Sequence, residues 1–446
     1  MIVTGEGKMA NGLKAKTATF TIFLILATVL AMSCRECPTE QPDYDIYLSA
    51  EDVFSTSVVL SVTLPDSGDV SAFALDRDDS TVATYTCQDD DTLIINEGLT
   101  PDTDYIYRVR FLKDGKTKSE SDPVSVHTMD TTSHDFIWEI DTLGNYGSYL
   151  KDAWIVDENN IWVVGNIETD SGEYNAARWN GIEWELMGIY SNTLDLYSIW
   201  YFSENDIWVT DYCSPIHWDG TTWTLYHLQN MGLDVCSGFG IWGTSSSNMY
   251  FVGLNGSIVH YDGSTFTKME SNTNIKLLNI HGTEDGEYVF IVGWDDSGKS
   301  IALQLHEGKV KTLYAAEHFV PDSNYGMVQS VAVIDNAAYF GTRAGLWKYK
   351  YLTEKSYLFE TTPDGFEYLS IRDSRANSVN DIMFMDLWFT TFHFNGDTWY
   401  EDRSVLDIYG EWNIYAHGGD FKDDLVVLVG YCNGGSHAIV GRGHRN

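Results

Sequence analysis

The sequence predicts an all-β chain, a β-sandwich followed by a ring of seven four-stranded sheets. Three observations carry the expectation. Aromatic residues make up 14% of the 446 residues, with 15 Trp and 27 Tyr, a bias toward strands rather than helices. Only 8 Pro are present among 38 scattered Gly, so neither a linker nor a collagen-like composition competes. From about residue 160 to the C-terminus, one unit recurs with a period of about 44 residues, the size of a four-stranded propeller blade.

The N-terminus reads as an export signal. Lys14 and Lys16 precede an apolar run from Ala18 to Met32, which ends at Ser33-Cys34. The run is shorter than the roughly 20 residues of a membrane span, and no second one follows. Met9 is an alternative start to Met1. Leu30-Ala31-Met32-Ser33-Cys34 resembles the lipobox of bacterial lipoproteins, with Ala31 where Leu is usual. The resemblance implies lipidation of Cys34; the alternative is ordinary cleavage that frees Cys34. The expected boundaries are signal peptide 1–33, tether 34–42, sandwich 43–130 and propeller 133–446.

Between residues 43 and 130, Ser57–Val62, Ser71–Leu75, Thr92–Ile95 and Tyr105–Phe111 read as short strands separated by turn residues. Leu99-Thr100-Pro101-Asp102-Thr103-Asp104-Tyr105 resembles the tyrosine corner of fibronectin type III domains. That resemblance implies a fibronectin-III-like β-sandwich in which the Tyr105 hydroxyl meets the preceding backbone. The Trp usual in the second strand is missing, with Val62 nearest its place, and so is the family's integrin-binding loop motif. A spacer role follows better than adhesion.

The repeat is clearest in three units. Asn160-Ile161-Trp162-Val163-Val164-Gly165 leads to Trp179-Asn180-Gly181-Ile182-Glu183-Trp184; Asp206–Asp211 leads to Trp218–Trp223; Asn248–Gly253 leads to Tyr261–Phe266. The apolar run predicts a second strand buried on both faces. The Asn-Gly or Asp-Gly pair predicts a type I′ turn between the third and fourth strands. The last unit lacks an outer strand, and Phe136–Ile140 resembles one. This predicts a seven-bladed β-propeller closed by an N-terminal strand near residues 136–140, which removes the free edge.

Net charge is −38, which makes nucleic acid an improbable partner. Asp-rich stretches at Asp76–Asp79 and Asp89–Asp91 leave calcium open, but no Asp-x-Asp-x-Asp-Gly loop fixes a site. No zinc spacing and no Gly-x-Ser-x-Gly, His-Glu-x-x-His or phosphate-loop motif occurs, so no metal ligand, catalytic residue or cofactor other than calcium is expected. The irregular Arg178, Arg343, Arg372, Arg375 and Arg403 form no recognisable carboxylate-binding triad. His217, His260, His306 and His393 recur on the third strand and read as blade-surface residues. Loop aromatics Tyr212, Trp294, Trp388 and Tyr431 are the candidate binding residues, since such rings stack on sugars or anchor peptides. Cys213 and Cys236 are the candidate disulfide, with Cys432 too far away to join them. The expectation is a non-catalytic cell-envelope lipoprotein, at the outer membrane or cell surface, held to the membrane by lipid only. It presents a propeller to an envelope or extracellular protein or glycan. The alternatives are a lectin-like glycan-binding protein and a propeller-fold glycoside hydrolase or lyase; for location, a secreted or periplasmic protein.

Overall fold

The computed structural model describes residues 46–63, 72–86, 91–317, 327–342, 345–361, 370–410, 413–432 and 437–446. The expected export signal and tether, Cys34, Asp89, Asp90 and Arg343 lie outside them. The chain divides into two compact units, Met1–Thr131 and Thr132–Asn446.

The first unit holds two antiparallel sheets. Strands β1 (Tyr47–Val53), β2 (Ser57–Thr63) and β5 (Asp91–Glu97) form one; β4 (Ser80–Thr86), β3 (Ala72–Arg77), β6 (Asp104–Lys113) and β7 (Lys116–Glu120) form the other, with β8 (Val124–His127) also paired to β6. Alternating side chains turn Val58, Leu60, Val62, Phe73, Leu75, Ile94, Tyr107 and Phe111 into one buried core. The Thr100 N–H donates to the Tyr105 hydroxyl at 2.8 Å, tying the turn before β6 to its first residues. Asp76 pairs with Arg110, and Asp79 with Arg108 at 3.2 Å, so two carboxylates of the acidic stretch are taken up by arginines.

The second unit is a seven-bladed β-propeller. Six blades are consecutive four-stranded antiparallel meanders. Their inner strands are Tyr149–Asp157, Ser198–Ser203, Gly240–Ser245, Leu277–Gly282, Val328–Ile334 and Ile371–Ser378. Blade 7 has Ile414–Lys422, Leu425–Cys432 and Ala438–Arg445 from the C-terminus, and its outer strand is β9 (Phe136–Leu143). The closing ladder runs from Ala438↔Leu143 to Arg445↔Phe136. Inner strands of successive blades touch and blade 7 touches blade 1; a cavity lined by inner-strand residues lies between them. Cores lie between blades. Ile161, Val163 and Ala177 of blade 1 pack on Val427, Val429 and Val440 of blade 7, which is why the second strands are apolar on both faces.

Two local expectations are corrected. The Asn-Gly and Asp-Gly turns are not type I′, because only their glycines have positive φ, 91° at Gly181 and 88° at Gly220. They are four-residue loops in which the Asx side chain caps the turn. Asp219 Oδ1 accepts the N–H groups of Thr221 and Thr222 at 2.8 and 2.9 Å, and Asn180 does the same for Ile182 and Glu183. The recurrent histidines are not simple surface residues. His217 stacks on Trp208 at 4.2 Å and bonds Asp206 at 2.9 Å, while the Trp208 indole donates to Ser246 at 2.7 Å and Ser246 donates to Asp206. His260 bonds Asn248 and stacks on Tyr250; His393 is fully buried against Asp381. Each locks the third strand to the first residues of the second.

Candidate functional site

The site begins with a repeated irregularity. In five blades the inner strand carries a β-bulge at one level, between Leu150 and Asp152, Leu277 and Asn279, Val328 and Ser330, Ile371 and Asp373, and Ala416 and Gly418. The extra residues are Lys151, Leu278, Gln329, Arg372 and His417. A bulge re-aims the side chain it frees; Lys151, Leu278, Arg372 and His417 all line the axial cavity. The glycine ending the second strand allows the close approach. A Cβ on Gly165 would lie 2.2 Å from the Tyr149 carbonyl, and one on Gly430 would lie 1.9 Å from that of Tyr415.

Cations and rings alternate around the mouth. Lys151 Nζ lies 4.8 Å from the Tyr149 ring centre and 5.4 Å from that of Tyr197. Lys276 Nζ lies 5.7 Å from Phe239 and 5.9 Å from Trp294, and the Arg372 guanidinium lies 5.4 Å from Trp294. These are cation–π distances. Among the described residues none of the three cations has a carboxylate within ion-pair distance, and Arg372 Nε has no hydrogen-bond partner. Arg442, by contrast, meets Glu139 at 2.9 Å and Asp141 at 3.0 Å.

Burial shapes the charges. It pulls the Lys151 ammonium down to about 8, with Arg372 adding repulsion and Asp195 opposing both. Burial, with Lys151 adding to it, takes His417 down to about 3; its neutral ring donates from Nδ1 to the Leu150 carbonyl at 2.8 Å. One level further along the strands, Arg375 sits among Asp373, Asp420 and Asp152. Burial raises all three carboxyls, Asp152 to about 8, against the pull of Arg375. They act as staples between blades. Asp152 accepts the N–H of Ile199 in blade 2 at 3.0 Å, and Asp420 that of Ile155 in blade 1 at 2.8 Å.

Of the residues expected from sequence, Trp294 stands directly between two mouth cations. Tyr212 packs on Tyr197 and Phe239 at 5.4 and 5.2 Å, one ring behind Lys151 and Lys276. Tyr431 packs on His417 and Tyr415 at 5.2 and 5.3 Å. Trp388 lies on Tyr415 at 5.0 Å and joins the core between blades 6 and 7, so it is chiefly a packing residue. Cys213, in the loop after the second strand of blade 2, is disulfide-bonded to Cys236, in the connection to blade 3, and Cys432 is free. The bond fixes the loop that carries Tyr212. Among the described residues, no group of three His, Cys, Asp or Glu could hold a metal ion.

The sequence does not mark Lys151, Lys276 or His417, which lie just before or in the first half of an inner strand. Arg372 and Arg375 were recognised only as irregular arginines. They do reach one channel, but Arg375 is committed to carboxylates and Arg372 is not.

No family model and no curated protein matches the sequence. Solved structures of similar fold include "YCF48 bound to D1 peptide", with TM-score 0.50 and 14% identity over 69% of this chain and 95% of that one. YCF48 from Cyanidioschyzon merolae gives 0.48 and 13% over 68% and 98%; the Neurospora crassa Pan2 WD40 domain gives 0.45 and 8% over 68% and 90%. Fold and channel together define the second unit as a β-propeller with a cationic, ring-lined mouth. At these identities the likeness concerns the fold alone.

Proposed function

We propose that the protein is a cell-envelope lipoprotein whose propeller binds an anionic ligand at the channel mouth and performs no chemistry on it. One observation carries the reading. In a chain of net charge −38, three cations without ion pairs among the described residues converge with aromatic rings on one opening. Partly desolvated cations attract a carboxylate far more strongly than exposed ones do. A peptide or protein carboxylate and an acidic sugar both satisfy this chemistry; YCF48, of similar fold, was solved with a D1 peptide. The first unit serves as a fibronectin-III-like spacer, a reading supported by its two sheets and by the Tyr105 corner. Export and lipidation at Cys34 rest on the lipobox-like segment.

Titration calorimetry of residues 38–446 with acidic monosaccharides and short peptides tests the site. Arg372→Ala is expected to weaken binding at least about tenfold, the scale of one charge-assisted hydrogen bond. Equal binding by neutral analogues would remove the proposal. Radiolabelled palmitate should enter the wild-type chain in bacteria and not Cys34→Ser.

The raised Asp152 carboxyl favours a second reading, a hydrolase. Its two oxygens accept the N–H groups of Ala153 and Ile199, a structural use. Turnover of any bound glycan that disappears in Asp152→Asn would establish the hydrolase instead.

A further inference from the structure

A polar groove runs between blades 3 and 4 and abuts the mouth. Its walls are the turn at Asn255, the Glu270–Ile275 connection between the blades, and the turn bearing Asp295 and Lys299. Two chain neighbours join groove to mouth: Ile275 precedes Lys276, and Asp295 follows Trp294.

Three features define what the groove can hold. It presents the amides of Asn255, Asn272 and Asn274, all exposed and, among the described residues, without a hydrogen-bond partner. Asn255 and Asn272 adopt left-handed backbone, φ 52° and 57°, in short turns. Its charges cancel locally, Lys268 with Glu270 at 3.7 Å and Lys299 with Glu317 at 3.3 Å, while Asp295 caps its own turn by accepting from Ser297 and Lys299. Its apolar lining is confined to Met269 and Ile275, so it lacks the hydrophobic pockets that anchor peptide side chains.

We infer that the groove is a subsite for the neutral, hydroxyl-rich body of an oligosaccharide whose single acidic terminal sugar sits at the mouth. The inference rests on the mouth as the anion site. Amides with free donors and acceptors match sugar hydroxyls, and Trp294, beside both Lys276 and Arg372, stands where groove and mouth join. Locally neutralised charge gives no reason for a polyanion to lie along the groove.

Calorimetry on the full-length chain in detergent tests this with four probes: glucuronic acid, a β-1,4-linked tetrasaccharide of glucose ending in glucuronic acid, the neutral tetraglucose, and a tetrapeptide with a free C-terminal carboxylate. The acidic tetrasaccharide is expected to bind about tenfold tighter than glucuronic acid, as one or two net hydrogen bonds would give. The double variant Asn272→Gly, Asn274→Ala, in which glycine keeps the left-handed backbone at 272, with unchanged circular dichroism and melting temperature, should return it to the monosaccharide's affinity without altering the latter. A tetrasaccharide no tighter than glucuronic acid overturns the groove and leaves the mouth standing. A tetrapeptide that binds tighter than the tetrasaccharide overturns the sugar assignment alone. If neither glucuronic acid nor the tetrapeptide binds, the mouth reading itself falls.

Discussion

Lys151 is held at the mouth against its own solvation. Tyr149 and Tyr197 flank it, Arg372 and neutral His417 face it, and Asp195 is the acid that favours its charge. Its folded value of about 8 lies below the ordinary 10.5, so the unfolded chain binds the extra proton between those pH values. Stability contributed by this residue therefore rises with pH from about 8 to 10.5. Lys151→Met should flatten that rise and add on the order of 2 kcal/mol at pH 7, read from urea melts at pH 7 and 9.5. Ligand binding should run the other way. Affinity for an anion should fall as pH increases through 8, while Arg372 keeps its charge, and Lys151→Met should abolish the decline. A pH-independent affinity in the wild type would show that Lys151 does not touch the anion.

At the scale of the strand and turn, the repeat makes the blade legible and hides the site. Asn-Ile-Trp-Val-Val-Gly and Asn-Gly-x-x-Trp recur because burial on both faces and a four-residue Asx loop impose the same demand in blade after blade. The bulge residues Lys151, Leu278, Gln329, Arg372 and His417, four of which line the cavity, share no residue type, so no pattern marks them. A bulge is a property of pairing register, and register appears only once two strands are aligned. The turn type was misjudged for a related reason, since the Asx side chain rather than a second positive φ closes the loop. The Trp208–Ser246–Asp206–His217 lock was equally invisible, because Ser246 comes from the neighbouring blade. Asp206→Ala should leave that network unsatisfied and cost about 2 kcal/mol in chemical denaturation. Cys236→Ser should lower the melting temperature as well. The two cysteines are 23 residues apart, a loop whose closure is worth about 3 kcal/mol in the chain-entropy account.

For the whole molecule, the seven-bladed ring and its closing strand follow from counting units and noticing that the last one lacks an outer strand. The closure is electrostatic as well as backbone-built. Arg442 of blade 7 bonds Glu139 and Asp141 of β9 and lies 4.0 Å from the Trp179 ring of blade 1. Trp138 of β9 reaches Asp402 of blade 6 at 2.7 Å. Arg442→Ala should therefore destabilise by about 1–2 kcal/mol, through loss of the buried guanidinium's packing on Trp179 and of its bonds to two partly exposed carboxylates, with loss of near-ultraviolet ellipticity as the readout. A chain lacking β9 should populate aggregates on refolding.

That closing pair also sets a clock. Phe136 meets Arg445 across nearly the whole length of the propeller sequence, so β9 is made first and waits for the last strand to arrive. Until then a nascent chain carries two raw edges, which any similar chain can pair with. A copy cut short by only ten residues loses its third strand in blade 7 and never hides them. The final strand thus acts as a certificate of completeness: chains that lack it keep the exposed edges that chaperones and proteases recognise.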